Sequence, residues 1–148
     1  MLFKILVLIH VLSATIWTGG HLILTTRILP GVLKNSDVDM LRDFEARYES
    51  IGIPALLLQI ITGLWMARIM LPDWSAWFDM SNIAAFHIMI KLVLLLLTAL
   101  LAVDARFRVI PNLDASRLTD MAVHIIAITV LAVLFVITGV SLSTGGLY

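Results

Sequence analysis

Four apolar stretches, each long enough to cross a lipid bilayer, constrain the fold of this chain more than any other feature. They cover residues 2–26, 51–71, 83–103 and 120–142. A helix needs about 20 apolar residues to cross the hydrocarbon core, where the backbone must satisfy its own hydrogen bonds. We therefore predict an all-α, polytopic membrane protein. A single domain, residues 1–148, would form an up-down bundle of four transmembrane helices.

The first apolar stretch is predicted to be a retained membrane span. It is longer than the apolar region of a signal peptide, and no Ala-x-Ala cleavage pattern follows it. Arg27, Pro30 and Gly31 predict that its helix ends there. A Ser-x-x-Asp pattern over residues 36–39 then predicts a new helix start. The amphipathic segment that follows, through Glu49, either lies at the membrane interface or extends the second span.

The distribution of lysine and arginine predicts the orientation in the membrane. Seven of the ten lie in the loops after the first and third stretches, and none lies in the second loop: Arg27, Lys34, Arg42, Arg47, Arg106, Arg108 and Arg117. Positively charged loops remain in the cytoplasm. We therefore expect a multi-pass protein of the bacterial inner membrane with both termini in the periplasm.

Composition excludes several classes of function. Hydrophobic residues make up 61% of the chain and charged residues 14%, which is typical of a protein whose main partner is the lipid bilayer. The net charge is zero, so no basic surface for nucleic acid is expected. The chain contains no cysteine, which excludes disulfides, thiolate metal sites and cysteine nucleophiles.

The first span contains two histidines that share one helical face. His10, Trp17 and His21 fall within about 20° of one line along the helix, and the two imidazoles are roughly 16 Å apart along it. Ionisable side chains inside a span usually face the bundle interior and are usually functional. This face therefore offers two polar positions at different depths, with an indole between them.

The inner of these positions has a partner on the fourth span. His21 and His124 are predicted to lie at the same depth in the cytoplasmic half. Two such imidazoles could be the axial ligands of a haem or two ligands of a metal ion, and the pair does not select one metal. The alternative is a hydrogen bond between helices.

The outer half contains His10, His87 and Lys91, together with four methionines: Met66, Met70, Met80 and Met89. Thioether and imidazole are ligands that suit Cu(I). The alternatives are that the methionines fill gaps between helices and that His87 is an interfacial residue. Lys91 either extends outward to the interface or pairs with an anionic ligand such as a haem propionate.

The run Ile-Trp-Thr-Gly-Gly-His at 16–21 resembles the tryptophan–glycine–glycine signature of the copper resistance D (CopD) family of membrane proteins. Similar family features are Arg-Tyr-Glu-Ser…Gly-Ile-Pro at 47–54, Thr62-Gly63, Lys91, Asp104-Ala105-Arg106 and the helix of His124. The resemblance covers nearly the whole chain, in a short four-helix form.

The resemblance to the CopD family implies copper uptake or tolerance across the bacterial inner membrane. It also implies a copper ion or a periplasmic copper carrier as partner, and His10, His21 and His124 as metal-binding residues. Longer family members have additional helices, so a homodimer could supply a missing wall of the pathway.

A second resemblance is to HemJ-type protoporphyrinogen oxidases. These have a histidine in the first helix and a histidine followed by a lysine in the third, here His87 and Lys91. This resemblance implies a b-type haem and an oxidoreductase, with His10, Trp17, His87 and Lys91 as cofactor-binding residues. The third alternative is a structural membrane subunit, because the chain contains no strict catalytic motif.

Overall fold

The computed structural model describes residues 1–145, which form a bundle of long helices. The α-helices are α1 (Leu2–Ile23), α2 (Leu29–Asn35), α3 (Val38–Met70), α4 (Ile83–Asp104) and α5 (Leu118–Thr144). Four continuous helical segments are long and apolar enough to cross a membrane. The predicted all-α fold with four transmembrane helices is confirmed. Residues 146–148, which end the predicted domain, lie outside the described range.

The first helix continues beyond the predicted end. A π-helical segment, Leu24–Ile28, joins α1 to α2, so helical backbone extends to Asn35. The prediction of an end at Arg27 and Pro30 is therefore wrong. Pro30 lies in the first turn of α2, directly after the π-helical segment. The chain reverses at Ser36, whose φ of 54° lies in the left-handed region.

The amphipathic segment extends the second span. α3 is one helix of 33 residues, and it contains Pro54 without a break. Its N-cap is Asp37, whose carboxylate accepts a hydrogen bond of 2.9 Å from the backbone N–H of Met40. This bond satisfies one of the free donors of the first turn.

The helices pack in the order α3, α1, α5, α4. α1 packs along α3 and α5, and α5 packs along α4, so α1 and α5 form the central pair. A second π-helical segment, Ala105–Val109, follows α4 at the same end of the bundle as the first. We call this the basic end, because the arginine-rich segments lie there. The opposite end, which holds the N-terminus of α1 and the loop 71–82, is called the aromatic end.

Three buried apolar clusters follow one another along the bundle. The largest fills the basic end: Leu24, Leu29, Val32, Leu41, Val109, Leu113, Leu118, Met121, Ala122 and Ile125. The middle cluster contains Trp17, Ile128 and Ala132, with Leu56 and Leu101 packed against it, so all four spans contribute to it. The third cluster, at the aromatic end, contains Ala67, Trp77 and Ile88. Polar side chains occupy the space between these clusters.

One of the three tryptophans at the aromatic end is a core residue. Trp65, Trp74 and Phe78 are exposed, as side chains at a membrane interface should be. Trp77 is only 5% exposed, and its indole N–H donates to the carbonyl oxygen of Leu71 at 2.9 Å. It therefore stabilises the loop against α4.

Candidate functional site

The His10 ring is held between α1 and α3 in a fixed tautomer. The Thr62 hydroxyl has one proton, which it donates to the carbonyl oxygen of Leu58 at 2.6 Å. His10 Nδ1, 3.0 Å from the Thr62 oxygen, must therefore be the donor of that bond. Gly63 makes room for the ring, because a Cβ there would lie 3.0 Å from His10 Cε1. The lone pair of Nε2 remains free for a ligand.

His21 has the same tautomer in an aromatic setting. Its Nδ1–H donates to the carbonyl oxygen of Trp17 at 2.9 Å, one turn earlier in α1. Its ring is tilted against the Trp17 indole, with centroids 4.3 Å apart, and meets the Tyr48 ring edge-on at 5.5 Å. No hydrogen bond within residues 1–145 engages Nε2 of His21. The ring is thus fixed with one free lone pair.

Tyr48 fits into a slot formed by two glycines. Its hydroxyl donates to the carbonyl oxygen of Trp17 at 2.9 Å and lies 3.4 Å from His21 Nδ1. A Cβ on Gly20 would lie 2.6 Å from the Tyr48 hydroxyl oxygen, and closer to the ring carbons. A Cβ on Gly52 would lie 2.9 Å from the ring. Both glycines are therefore needed for Tyr48 to reach α1 beside His21.

His124 belongs to an ion-pair network at the basic end. Its Nδ1 donates to the carbonyl oxygen of Asp120 at 2.9 Å, and its Nε2 donates to the Asp104 carboxylate at 2.7 Å. Oxygen atoms therefore engage both ring nitrogens of His124. Arg108 binds the same carboxylate through two bonds of 2.8 and 2.6 Å and lies 3.6 Å from the Asp120 carboxylate. The network joins His124 and Arg108 to Asp104.

His87 connects α4 to α5 near the aromatic end. Its Nδ1–H donates to the carbonyl oxygen of Ile83 at 2.7 Å, so Nε2 accepts the hydroxyl proton of Ser141 at 3.0 Å. Both side chains are buried. Both ring nitrogens of His87 are thereby satisfied, which is the arrangement of a structural interhelical hydrogen bond.

Lys91 lies one turn further along α4 from His87. Its ammonium nitrogen lies 3.5 Å from the position that a Cβ on Gly139 would occupy, so a glycine on α5 leaves space for it. Gln59, on α3, has a buried side-chain oxygen without a hydrogen-bond partner in the described part of the chain. These are polar groups with unused bonding capacity in the aromatic half.

The predicted site residues are thus distributed over separate environments. Trp17 and His21 are in contact, whereas the ring of His124 bonds to Asp104 and not to His21. Within residues 1–145, no group of three or more His, Cys, Asp or Glu side chains could hold a metal ion. Whether His21 and His124 share one ligand therefore stays a prediction.

Sequence reasoning missed Tyr48 and Asp104 as partners of the histidines. Both residues lie in runs that resemble the CopD family, at 47–54 and 104–106, but the sequence assigns neither of them a contact with a histidine. The signal for Tyr48 was present in Gly20 and Gly52, because glycines on two helices permit a close approach of a large ring. No sequence signal distinguishes Asp104 from other helix-end carboxylates.

A family model for copper resistance protein D matches residues 42–142, about two thirds of the chain. The chain belongs to the CopD family. The match includes His87, Lys91 and His124, and it begins after α1, which carries the other two histidines. CopD membership places the protein among membrane proteins of copper resistance or handling. A search of curated proteins and one of solved structures find no match to the chain, and no comparison shows a similarity to HemJ-type oxidases.

Proposed function

We propose that this CopD-family protein binds copper through intramembrane histidines and contributes to copper uptake or tolerance, with the copper ion as its cargo. The observation that carries the proposal is the state of the α1 imidazoles. His10 and His21 each donate from Nδ1 to a protein oxygen and keep Nε2 free. Metal-binding histidines are oriented in this way by a hydrogen bond from the second nitrogen.

The donor atoms fit copper in part. Imidazole suits copper, and thioether favours Cu(I). Met66 lies one helical turn from Thr62 on α3 and is half-buried, so it is the methionine best placed to supplement His10. Because residues 1–145 hold no group of three His, Cys, Asp or Glu side chains that could bind a metal ion, we infer that a second copy of the chain or a copper carrier supplies further donors.

His124 enters the proposal on different terms. Its Nε2 donates to Asp104, so copper would bind there only in exchange for that proton. We propose that His10 lies on the periplasmic side and receives copper from a periplasmic carrier, while His21 and His124 lie on the cytoplasmic side. The basis for this orientation is the arginine content of the basic end.

The test is a Cu(I) titration of the purified protein in lipid nanodiscs. His10→Ala should reduce copper binding strongly, whereas Met80→Ala, a change at an exposed thioether, is the matched control. Equal copper affinity in wild type and His10→Ala would remove His10 from the site. A visible absorption spectrum belongs to the same experiment. A Soret band in protein without stoichiometric copper would overturn the proposal in favour of a b-type haem.

The inner histidines are tested by His21→Ala, His124→Ala and the double variant. If they bind one copper ion, each single variant should lose most of the binding, and the double variant should be little worse, because ligands of one site act as a unit. If His124 acts only through Asp104, its variant should lose stability and keep its copper. Undiminished binding in the double variant would exclude both residues.

A further inference from the structure

A groove lies between α4 and α5 in the basic half of the bundle, with a volume of about 560 Å³. Its rims are exposed aliphatic side chains: Leu97, Leu100 and Val130. Its floor consists of less exposed residues: Leu101, Ala127 and Leu131. The α4 positions recur at spacings of three and four residues, so they form one stripe along the helix. The groove therefore runs along the helices and opens towards the bilayer.

The groove ends at a charged residue at the depth of the lipid headgroups. Asp104, the last residue of α4, is its seventh lining residue and the only charged one among them. In the π-helical segment that follows, Phe107 is 77% exposed and the side chain of Arg108 is half-exposed. Aromatic and arginine side chains take such positions where the bilayer meets water. The groove therefore extends from the apolar interior to the membrane interface.

Opposite charges with unused hydrogen-bonding capacity lie at this end of the groove. Arg108 uses two of its five N–H donors on the Asp104 carboxylate. Its third nitrogen lies 3.6 Å from the Asp120 carboxylate, which forms no closer hydrogen bond within residues 1–145. The side chains of Arg108 and Asp120 are each about half-exposed. A guanidinium group and a carboxylate are thus presented side by side to a ligand.

The combination of groove and charges indicates the chemistry of the occupant. The groove requires an apolar chain, and its charged end requires an anionic group beside a cationic donor. A phospholipid with an ethanolamine headgroup has all three parts, because its phosphate is followed by an ammonium with three N–H donors. A glycerol headgroup would bring a phosphate to two carboxylates without a compensating cation. A choline headgroup has no N–H to donate.

We propose that the α4–α5 groove is a binding site for one phosphatidylethanolamine molecule. One acyl chain lies along the floor formed by Leu101, Ala127 and Leu131, the phosphate binds Arg108, and the ammonium binds Asp120. This site goes beyond copper handling and requires no metal ion. The bound lipid covers the seam between α4 and α5 and connects the end of α4 to the first turn of α5.

The experiment is native mass spectrometry of the purified, copper-free, full-length protein in detergent micelles that contain one added phospholipid. Phosphatidylethanolamine, phosphatidylcholine and phosphatidylglycerol with identical acyl chains are titrated separately, and the dissociation constant of the first bound lipid is measured. Wild type should bind phosphatidylethanolamine about fivefold more tightly than either of the other lipids, because that is the upper range for an ion pair between exposed groups.

Two pairs of variants test the headgroup contact and the groove separately. Asp120→Asn keeps the shape of the side chain and should lose the preference for phosphatidylethanolamine, with its affinity for phosphatidylcholine unchanged. Asp39→Asn removes an exposed carboxylate at the same end of the bundle and should keep the preference. Ala127→Phe fills the floor and should weaken the binding of all three lipids. Ala99→Phe, at an exposed position of α4 outside the groove, should bind like wild type.

Equal binding of the three lipids by wild type, or a preference that persists in Asp120→Asn, would overturn the proposal. A preference for phosphatidylglycerol would overturn it in favour of an anionic lipid. Equal lipid binding by Ala127→Phe and wild type would exclude the groove. A lipid-free dimer that dissociates in Ala127→Phe would show that a second copy of the chain fills the groove instead. Copper is absent throughout, so failure of the proposed function would leave these results unchanged.

Discussion

Gly20 and Gly19 are neighbours in α1, and the structure predicts opposite effects when each is replaced by alanine. A Cβ on Gly19 would meet nothing within 4 Å, whereas a Cβ on Gly20 would overlap the Tyr48 ring. In a helix interior, alanine is favoured over glycine by about 1 kcal/mol. Gly19→Ala should therefore stabilise the protein by about this amount.

Gly20→Ala has the same gain in helix propensity, but the Tyr48 ring must move. Overpacking of a filled site costs about 1–3 kcal/mol. Displacing the ring also breaks the hydrogen bond from Tyr48 to the Trp17 carbonyl, a loss of about 1 kcal/mol. Gly20→Ala should therefore be destabilised by about 1–3 kcal/mol relative to wild type, and by about 2–4 kcal/mol relative to Gly19→Ala.

The assay is unfolding by SDS in mixed micelles, followed by far-UV circular dichroism. Thiol-reactive probes cannot be used, because the chain has no cysteine. The double variant Gly20→Ala/Tyr48→Ala isolates the cause. Once Tyr48→Ala has removed the ring, Gly20→Ala should become stabilising. Equal stability of the two glycine variants, or a Gly20→Ala cost that persists without the Tyr48 ring, would refute the slot as the reason for Gly20.

Three further predictions concern the topology, the α4–α5 contact and the loop before α5. Reporter fusions at the C-terminus should be active as periplasmic fusions, and cytoplasmic activity would reverse the assigned sides. Ser141→Ala should cost about 1 kcal/mol in the same SDS assay, because His87 loses its interhelical donor, while Ser143→Ala, at an exposed position of α5, should be neutral. The Ser116 hydroxyl, 2.5 Å away, holds the pKa of Asp114 below its usual value. The stabilisation from Asp114 should therefore be present above about pH 4 and be lost as the pH falls through its lowered pKa. In Asp114→Ala, the free energy of unfolding should therefore fall less than in wild type as the pH is lowered below about 4.

Local sequence determined the elements that depend on hydrophobicity and on single caps. The four spans follow from runs of apolar residues, since a bilayer core admits few other structures. Asp37 caps α3 because a carboxylate at that position satisfies the first turn wherever the helix lies. The shared face of His10, Trp17 and His21 follows from helix periodicity alone.

Tertiary structure decided which groups the polar side chains meet. The sequence predicted that His21 and His124 lie at one depth in the membrane. Depth does not determine the direction in which a side chain points around its helix axis. The ring of His124 bonds to Asp104, at the end of α4. Likewise, Pro30 marks a helix end by propensity, yet the π segment before it lets the helix continue. The orientation of each imidazole depends on hydrogen bonds between distant residues, such as His10 with Thr62. Those bonds exist only once the helices have packed, because helix rotation about its axis is set by neighbouring helices and not by the sequence of one span.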